Sequence, residues 1–326
     1  MDPQLQQRMM IYAGLIPGAV ALVLPLAGWY FHAFRASRID HAEGDTPRSA
    51  GDGPRWLLPL LLGLGFAGAD YAANATLHLW PDGNNYRFTH AIALITLVAV
   101  IEGFFRLPLL LAMLLRLLAY AGAFWMLAEG YIDGVFGGPA PFVGWLLVAG
   151  IGAMLLATAA DRADDPHYPP EADHAATPGW VDAITWIVIA AGMMPIFYFN
   201  NFAIGARMPA GIIAVLTSTL IVSLIFKDLR LSRGGITVLI GLPLTMLTGS
   251  FVQTGAAFPP SLVLVALAPC VVLLPMPASS PVRRLLARLI LLVVILGSAL
   301  ATLQWSQAPH PGEDTTDDPY ADYPTE

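Results

Sequence analysis

The chain has 326 residues, of which 56% are hydrophobic and only 12% charged, with a formal net charge of −7 and a single cysteine. A soluble domain carries roughly 45–50% apolar and about 25% charged residues, so this apolar excess cannot be hidden in one water-facing globule. The lone Cys270 excludes an internal disulfide and a cysteine-based metal site, and the acid is concentrated in two hydrophilic segments and not along the membrane body.

Apolar runs recur along the whole chain at about 20 residues each, the length that crosses ~30 Å of hydrocarbon at 1.5 Å per residue. The expected fold class is all-α: a polytopic integral membrane helical bundle of about ten transmembrane helices, with the lipid bilayer as its first partner. The opening MDPQLQQRMM leads into an apolar run that is too long for a secretory signal and has no small-residue cleavage site, so residues 10–33 are read as a retained first span.

The second span, 56–80, begins WLLPLLLGLGF and then turns polar as GADYAANATLHLW. Asp70, Asn74 and His78 recur every four residues on one helical face, with Tyr71 beside them. Asp70 precedes Trp80 by ten residues, or about 15 Å of helix, which places it near the middle of the hydrocarbon. An isolated charge at that depth costs at least ~2.5–3.5 kcal/mol, so a partner or water is required. Arg116 reaches a similar depth in the fourth span, 107–128. The two are therefore expected to meet, either as a static ion pair or, with Asn74 and Tyr71, as the lining of a solute or ion path.

The third span, 89–105, carries Glu102 four residues before Arg106, the order that favours an intrahelical pair. Only Arg106 and the following Leu107-Pro108 separate it from the fourth span, which predicts a tight hairpin. At the opposite ends of spans two to four lie His78, Asp82, His90, Glu129 and Asp133, a mixture of imidazole and carboxylate that can relay protons or bind a divalent ion. No two of them stand at a metal-binding helical spacing, so no metal or cofactor is assigned and the set is read as an outer polar cluster.

A fifth span, 141–160, completes a first membrane half over residues 1–160. A hydrophilic loop, 161–180, follows, with Asp164, Asp165, His167 and His174. The second half, 181–305, contains spans near 181–201, 208–226, 235–253, 260–277 and 285–305, and residues 306–326 form an acidic tail expected to be disordered. Apart from end positions such as Asp182, the second half is polar only through groups such as Tyr198, Asn200, Asn201, Thr217, Ser218, Thr219, Thr245, Thr248, Ser250 and Gln253. Such hydroxyls bond their own helix or bridge to a neighbour. Pro17, Pro25, Pro195, Pro243 and Pro269 are expected to interrupt helices. Five spans on each side of the loop give the halves opposite orientation, as in inverted-repeat carriers, yet no sequence match between the halves is visible.

Twelve of the sixteen basic residues fall in one set of alternate loops or at its span ends, from Arg35 to Arg288, while the other side holds only Arg8, Arg87 and Arg207. Basic residues stay cytoplasmic, so both termini are expected on the non-cytoplasmic side. Short loops and the lack of organelle targeting favour a prokaryotic plasma membrane. Trp56, Trp80, Trp180 and Trp305 sit at predicted span ends, as an aromatic belt requires.

No HExxH, GxSxG, P-loop, GxGxxG or CxxCH motif occurs, which lowers an enzymatic reading. Two functions stand ahead of a third, an enzyme acting on lipid-linked substrates, which has only the outer polar cluster in its favour. One is a small-solute or ion transporter using the Asp70 and Arg116 pair. The other is a non-catalytic scaffold, assembly factor or accessory subunit that meets membrane protein partners.

Overall fold

In the computed structural model the described residues are 3–28, 55–74, 87–105, 107–164, 178–200, 202–225, 231, 233–254, 260–273 and 280–307. They form helices throughout: α1 (Gln4–Gly28), α2 (Leu57–Asn74), α3 (Arg87–Phe104), α4 (Leu109–Ala128), α5 (Pro139–Asp164), α6 (Gly179–Phe199), α7 (Pro209–Ile225), α8 (Arg233–Thr254), α9 (Pro260–Leu267) and α10 (Pro281–Gln307). Nine helical segments among the described residues are long and apolar enough to cross a membrane. The expected ninth span is the exception, because α9 and the 3₁₀ turns after it, Ala268–Leu273, make a shorter apolar helix. The protein is an all-α, multi-pass membrane bundle. The tail and most of the central loop lie outside the described residues.

Burial sorts the helices into a centre and a rim. In α8, 94% of the apolar window is buried inside the bundle, against 39% in α3, 22% in α10 and 17% in α1. α8 packs on α2, α3, α4 and α5, so a helix of the second half forms the axis of the first. Around it, α2 packs on α3 and α7, α4 on α5, α6 on α7 and α10, and α9 on α10. The rim helices turn Leu110, Leu118, Val148, Ile290 and Val293 outward, each more than half exposed. In a bilayer that surface meets acyl chains.

Glycines set how closely the axis helices approach. A methyl group on Gly211 would fall 1.9 Å from the Gly65 carbonyl oxygen, and one on Gly65 would fall 2.7 Å from that of Gly211, so α2 and α7 cross backbone to backbone. Gly234 abuts Ala99, Gly241 abuts Ile95 and Gly249 abuts Phe88, which fixes α3 and α8 as antiparallel neighbours.

The expected hairpin is present, with α3 ending at Phe104 and α4 starting at Leu109 after an extended Pro108. The prolines divide: Pro269 lies where α9 gives way to 3₁₀ turns, as expected, whereas others do not stop their helices. Pro195 and Pro243 sit inside helices that continue through them, and Pro17 follows a seven-residue π-helical stretch, Met9–Leu15. A π turn widens the helix and relieves the clash of a proline ring with the preceding turn. Ser218 then donates a 2.7 Å hydrogen bond to the Gly18 carbonyl, tying α1 to α7.

Candidate functional site

Two buried polar networks lie at one end of the bundle, the end that bears most of the basic loops. The first gathers side chains from four helices. α3 brings Glu102, α4 Arg116, α5 Thr158 and Asp161, and α8 Thr237. Arg116 exposes none of its surface. Its Nε donates to Glu102 Oε1 and Oε2 at 2.9 and 3.1 Å, and its Nη2 to Glu102 Oε2 at 3.0 Å. The guanidinium also donates from Nη2 to Asp161 Oδ2 and from Nη1 to Thr158 Oγ1, each at 3.2 Å. Thr237 Oγ1 donates to Glu102 Oε2 at 2.7 Å, and Tyr120, fully buried one turn past Arg116, donates to the Thr237 carbonyl at 2.9 Å. The fork of the guanidinium matches a carboxylate with two parallel bonds, which a lysine cannot do.

The local sequence explains how they meet. The short hairpin sets α3 and α4 antiparallel, and helical side chains lean toward their own N-terminus. Arg116 thus reaches back toward the start of α4, where the end of α3 presents Glu102. Asp161 comes from the far end of α5, and Thr237 from the first turns of α8.

The second network joins α6, α10 and the turns after α9. Asp182, four residues into α6, accepts from Arg288 Nη1 at 2.5 Å, and Arg288 Nη2 donates to the Val272 carbonyl at 3.3 Å. Both side chains are about 6% exposed. Arg288, counted above with the loop cations, is therefore an interior partner of Asp182.

At the other end, Asp70 is buried and accepts from Asn74 Nδ2 at 2.7 Å and from the Thr89 hydroxyl. Tyr71 meets Tyr12 of α1 edge-to-face, with ring centroids 5.0 Å apart. Arg87 pairs with Glu129 at 2.6 Å and also donates to the Met126 carbonyl at 3.2 Å.

The expected contact between Asp70 and Arg116 is thus replaced by two separate networks. Depth is the reason. Gly63 abuts Thr96 in mid-α3, and Asp70 lies seven residues beyond Gly63, or ~10 Å toward the end that carries Arg87. Gly241 abuts both Ile95 and Tyr120 at mid-depth, and Arg116 extends from there the opposite way. Glu102 likewise turns to Arg116, and Arg106 lies outside the described residues. In the outer polar cluster, Glu129 pairs with Arg87, Asp133 is exposed and His90 is half-buried, whereas His78 and Asp82 lie outside the described residues. So do Asp165, His167 and His174. Among the described residues no three of His, Cys, Asp and Glu converge as a metal site. In the second half, Thr217, Thr219, Thr245 and Thr248 bond the carbonyl four residues back in their own helices, as the hydroxyl rule anticipates.

Sequence reasoning missed Asp161 and Thr158, which sit at the end of a span and read as loop-proximal. The usable signal was Arg116 itself: a guanidinium with five donors needs more than one carboxylate to be satisfied in hydrocarbon.

Comparison of the chain with family models, curated proteins and solved structures finds no match.

Proposed function

We propose that this protein is a transporter of a small solute or ion, with the Glu102, Arg116 and Asp161 network as a separable closure of one end of the bundle. The observation that carries the reading is the origin of that network in four different helices, with a guanidinium and two carboxylates at its centre. A buried ion pair adds little net stability over apolar packing of the same volume, so as a mere fastener it is a poor choice. It has one advantage over apolar packing. When the helices part, its groups are rehydrated, and opening to water costs less than exposing hydrocarbon.

By the positive-inside rule this closed end faces the cytoplasm, which puts both termini on the outer side of a plasma membrane. Asp70, with Asn74, Tyr71 and Thr89, stands nearer the opposite end, inward of the partly exposed Arg87 and Glu129, and is the buried acid on the path of a solute or cation entering there. A scaffold or accessory subunit is the second reading. It is favoured by the sealing of Arg116, four of whose five N–H groups are engaged.

Reconstitution into liposomes separates the two. Parent protein should support flux of at least one member of a panel of monovalent cations, protons and small polar solutes, and Arg116→Lys, folded but unable to fork onto Glu102, should change its rate at least tenfold. Absence of flux across the panel, with the lysine variant less stable than the parent, would favour the scaffold.

A further inference from the structure

Two contacts at which helices of opposite halves meet share one register, although Gly234 approaches Ala99 more closely than Gly241 approaches Ile95. Gly65 of α2 meets Gly211 of α7, and Ile95 of α3 meets Gly241 of α8; in both pairs the partners are 146 positions apart. The first contact is reciprocal, each glycine facing the other's carbonyl oxygen, which is how a two-fold axis places a residue against its own counterpart. Two such points define a line. The other approaches of α3 and α8 are nearly symmetric about it: Phe88 with Gly249 corresponds to Gly103 with Gly234, one turn from the observed contact of Gly234 with Ala99.

The same shift carries α3, starting at Arg87, onto α8, starting at Arg233. It also superposes Gly103 on Gly249 and Phe105 on Phe251. These few identities are near what chance gives, so the contacts and not the letters carry the correspondence. The local packing order repeats in part, since α1 on α2, α3 on α4 and α4 on α5 are answered by α6 on α7, α8 on α9 and α9 on α10, whereas α2 on α3 has no such answer among the described residues.

Around this axis the packing is unequal. α8 packs on α2, α4 and α5, whereas its counterpart α3 makes no comparable packing with α7, α9 or α10 among the described residues. Phe251 is buried against Phe136 and Trp145, with ring centroids 5.8 and 6.2 Å away, while its counterpart Phe105 is 55% exposed. The charged closure is one-sided too. The counterpart of Glu102 is Thr248, which bonds only the Leu244 carbonyl of its own helix.

We infer that the two five-helix halves are inverted repeats caught in unlike packings, and that the protein has a second state in which the halves exchange them. In that state α3 becomes the buried axis, packed on α7, α9 and α10, and α8 withdraws from α4 and α5. The withdrawal takes Thr237 off Glu102 and opens the Arg116 network to its own end of the bundle. The structure described is the state closed at that end. The inference rests on the transporter reading and supplies its motion: exchange of two unlike packings about an in-plane axis gives each face of the membrane access in turn.

The test measures distances between spin labels in full-length protein in which Cys270→Ala removes the native thiol. One pair, Ala140→Cys with Gln253→Cys, reports α5 against α8. Its counterpart under the same shift, Leu107→Cys with Leu286→Cys, reports the hairpin just beyond α3 against α10. Each is measured with and without Glu102→Gln plus Arg116→Gln, which removes the ionic closure and keeps polar groups of similar size. The expected result is a second population in both pairs, the first longer and the second shorter, each by roughly a helix diameter, ~10 Å. Change in one pair only, lengthening of both, or no change in either would overturn the exchange. Thr237→Val, which removes only the hydroxyl link of α8 to Glu102, replaces the double substitution if that protein does not fold. No solute is needed, so flux without reciprocal distances would sink the exchange and leave transport standing, and reciprocal distances without flux would do the opposite.

Discussion

Asp70 and Glu102 are both buried carboxylates, at 3% exposure each, yet the bundle keeps them by different means. Glu102 is held by a guanidinium from α4, with α5 and α8 contributing the rest of the network. Asp70 is held by an amide one turn away on its own helix and by a hydroxyl of the adjacent α3. The first arrangement couples four helices and fails as a unit, because removing the cation strands two acids. The second is local, and losing one neutral donor leaves the others. Burial alone therefore does not rank these sites; the number of helices that each network joins does.

That ranking can be broken most directly at Arg116. Arg116→Met should destabilise the protein by about 3–5 kcal/mol, the cost of leaving a buried charge without its partner. Thermal unfolding in detergent would show it. Arg116→Met combined with Glu102→Leu and Asp161→Leu should recover most of the loss, because a buried ionic cluster and apolar packing of similar volume are close in stability. A single variant as stable as the parent would make Glu102 no different from Asp70.

Arg288→Met should fall next, at about 3 kcal/mol, since it strands one carboxylate, Asp182, and frees the Val272 carbonyl. Asp70→Asn should cost only about 1 kcal/mol, because an asparagine oxygen still accepts from Thr89 or Asn74 and no buried cation is stranded by the change. If Asp70→Asn proves as damaging as Arg116→Met, the local description of its network is wrong.

The helices were legible in the sequence because all the spans but the ninth are long and apolar, and their ends are marked by proline, tryptophan or charge. Their partners were not. Asp70 and Arg116 looked paired because depth was counted from Trp80 and from the hairpin, and a few residues of error at each end moves a side chain across the midplane. Glu102 looked like a partner of Arg106 because spacing along one helix is visible in a sequence and proximity between helices is not. The correspondence inferred between the halves was hidden for a related reason. It resides in where Gly65 meets Gly211 and Ile95 meets Gly241, and a glycine in a list of thirty gives no sign of which backbone it faces.

The smallest effect belongs to Glu129, which sequence reasoning placed in the outer cluster, and to its partner Arg87. Arg87 and Glu129 stand 2.6 Å apart, but their side chains are 27% and 49% exposed. Water competes for both groups, and holding two flexible side chains in one geometry offsets much of the attraction, so such pairs contribute about 0–1 kcal/mol. Glu129→Gln should therefore leave thermal stability within that range, and the difference from the parent should shrink further as salt is raised to 1 M, where charges are screened within ~3 Å. Arg87→Ala should cost more than Glu129→Gln, because Arg87 also donates to the Met126 carbonyl near the end of α4. The excess should persist at high salt, since a hydrogen bond to a neutral carbonyl is little screened. Equal, salt-sensitive losses for both variants would mean that the ion pair alone joins α3 to α4 at this end, making the outer contact a weaker copy of the inner one and not a different kind of joint.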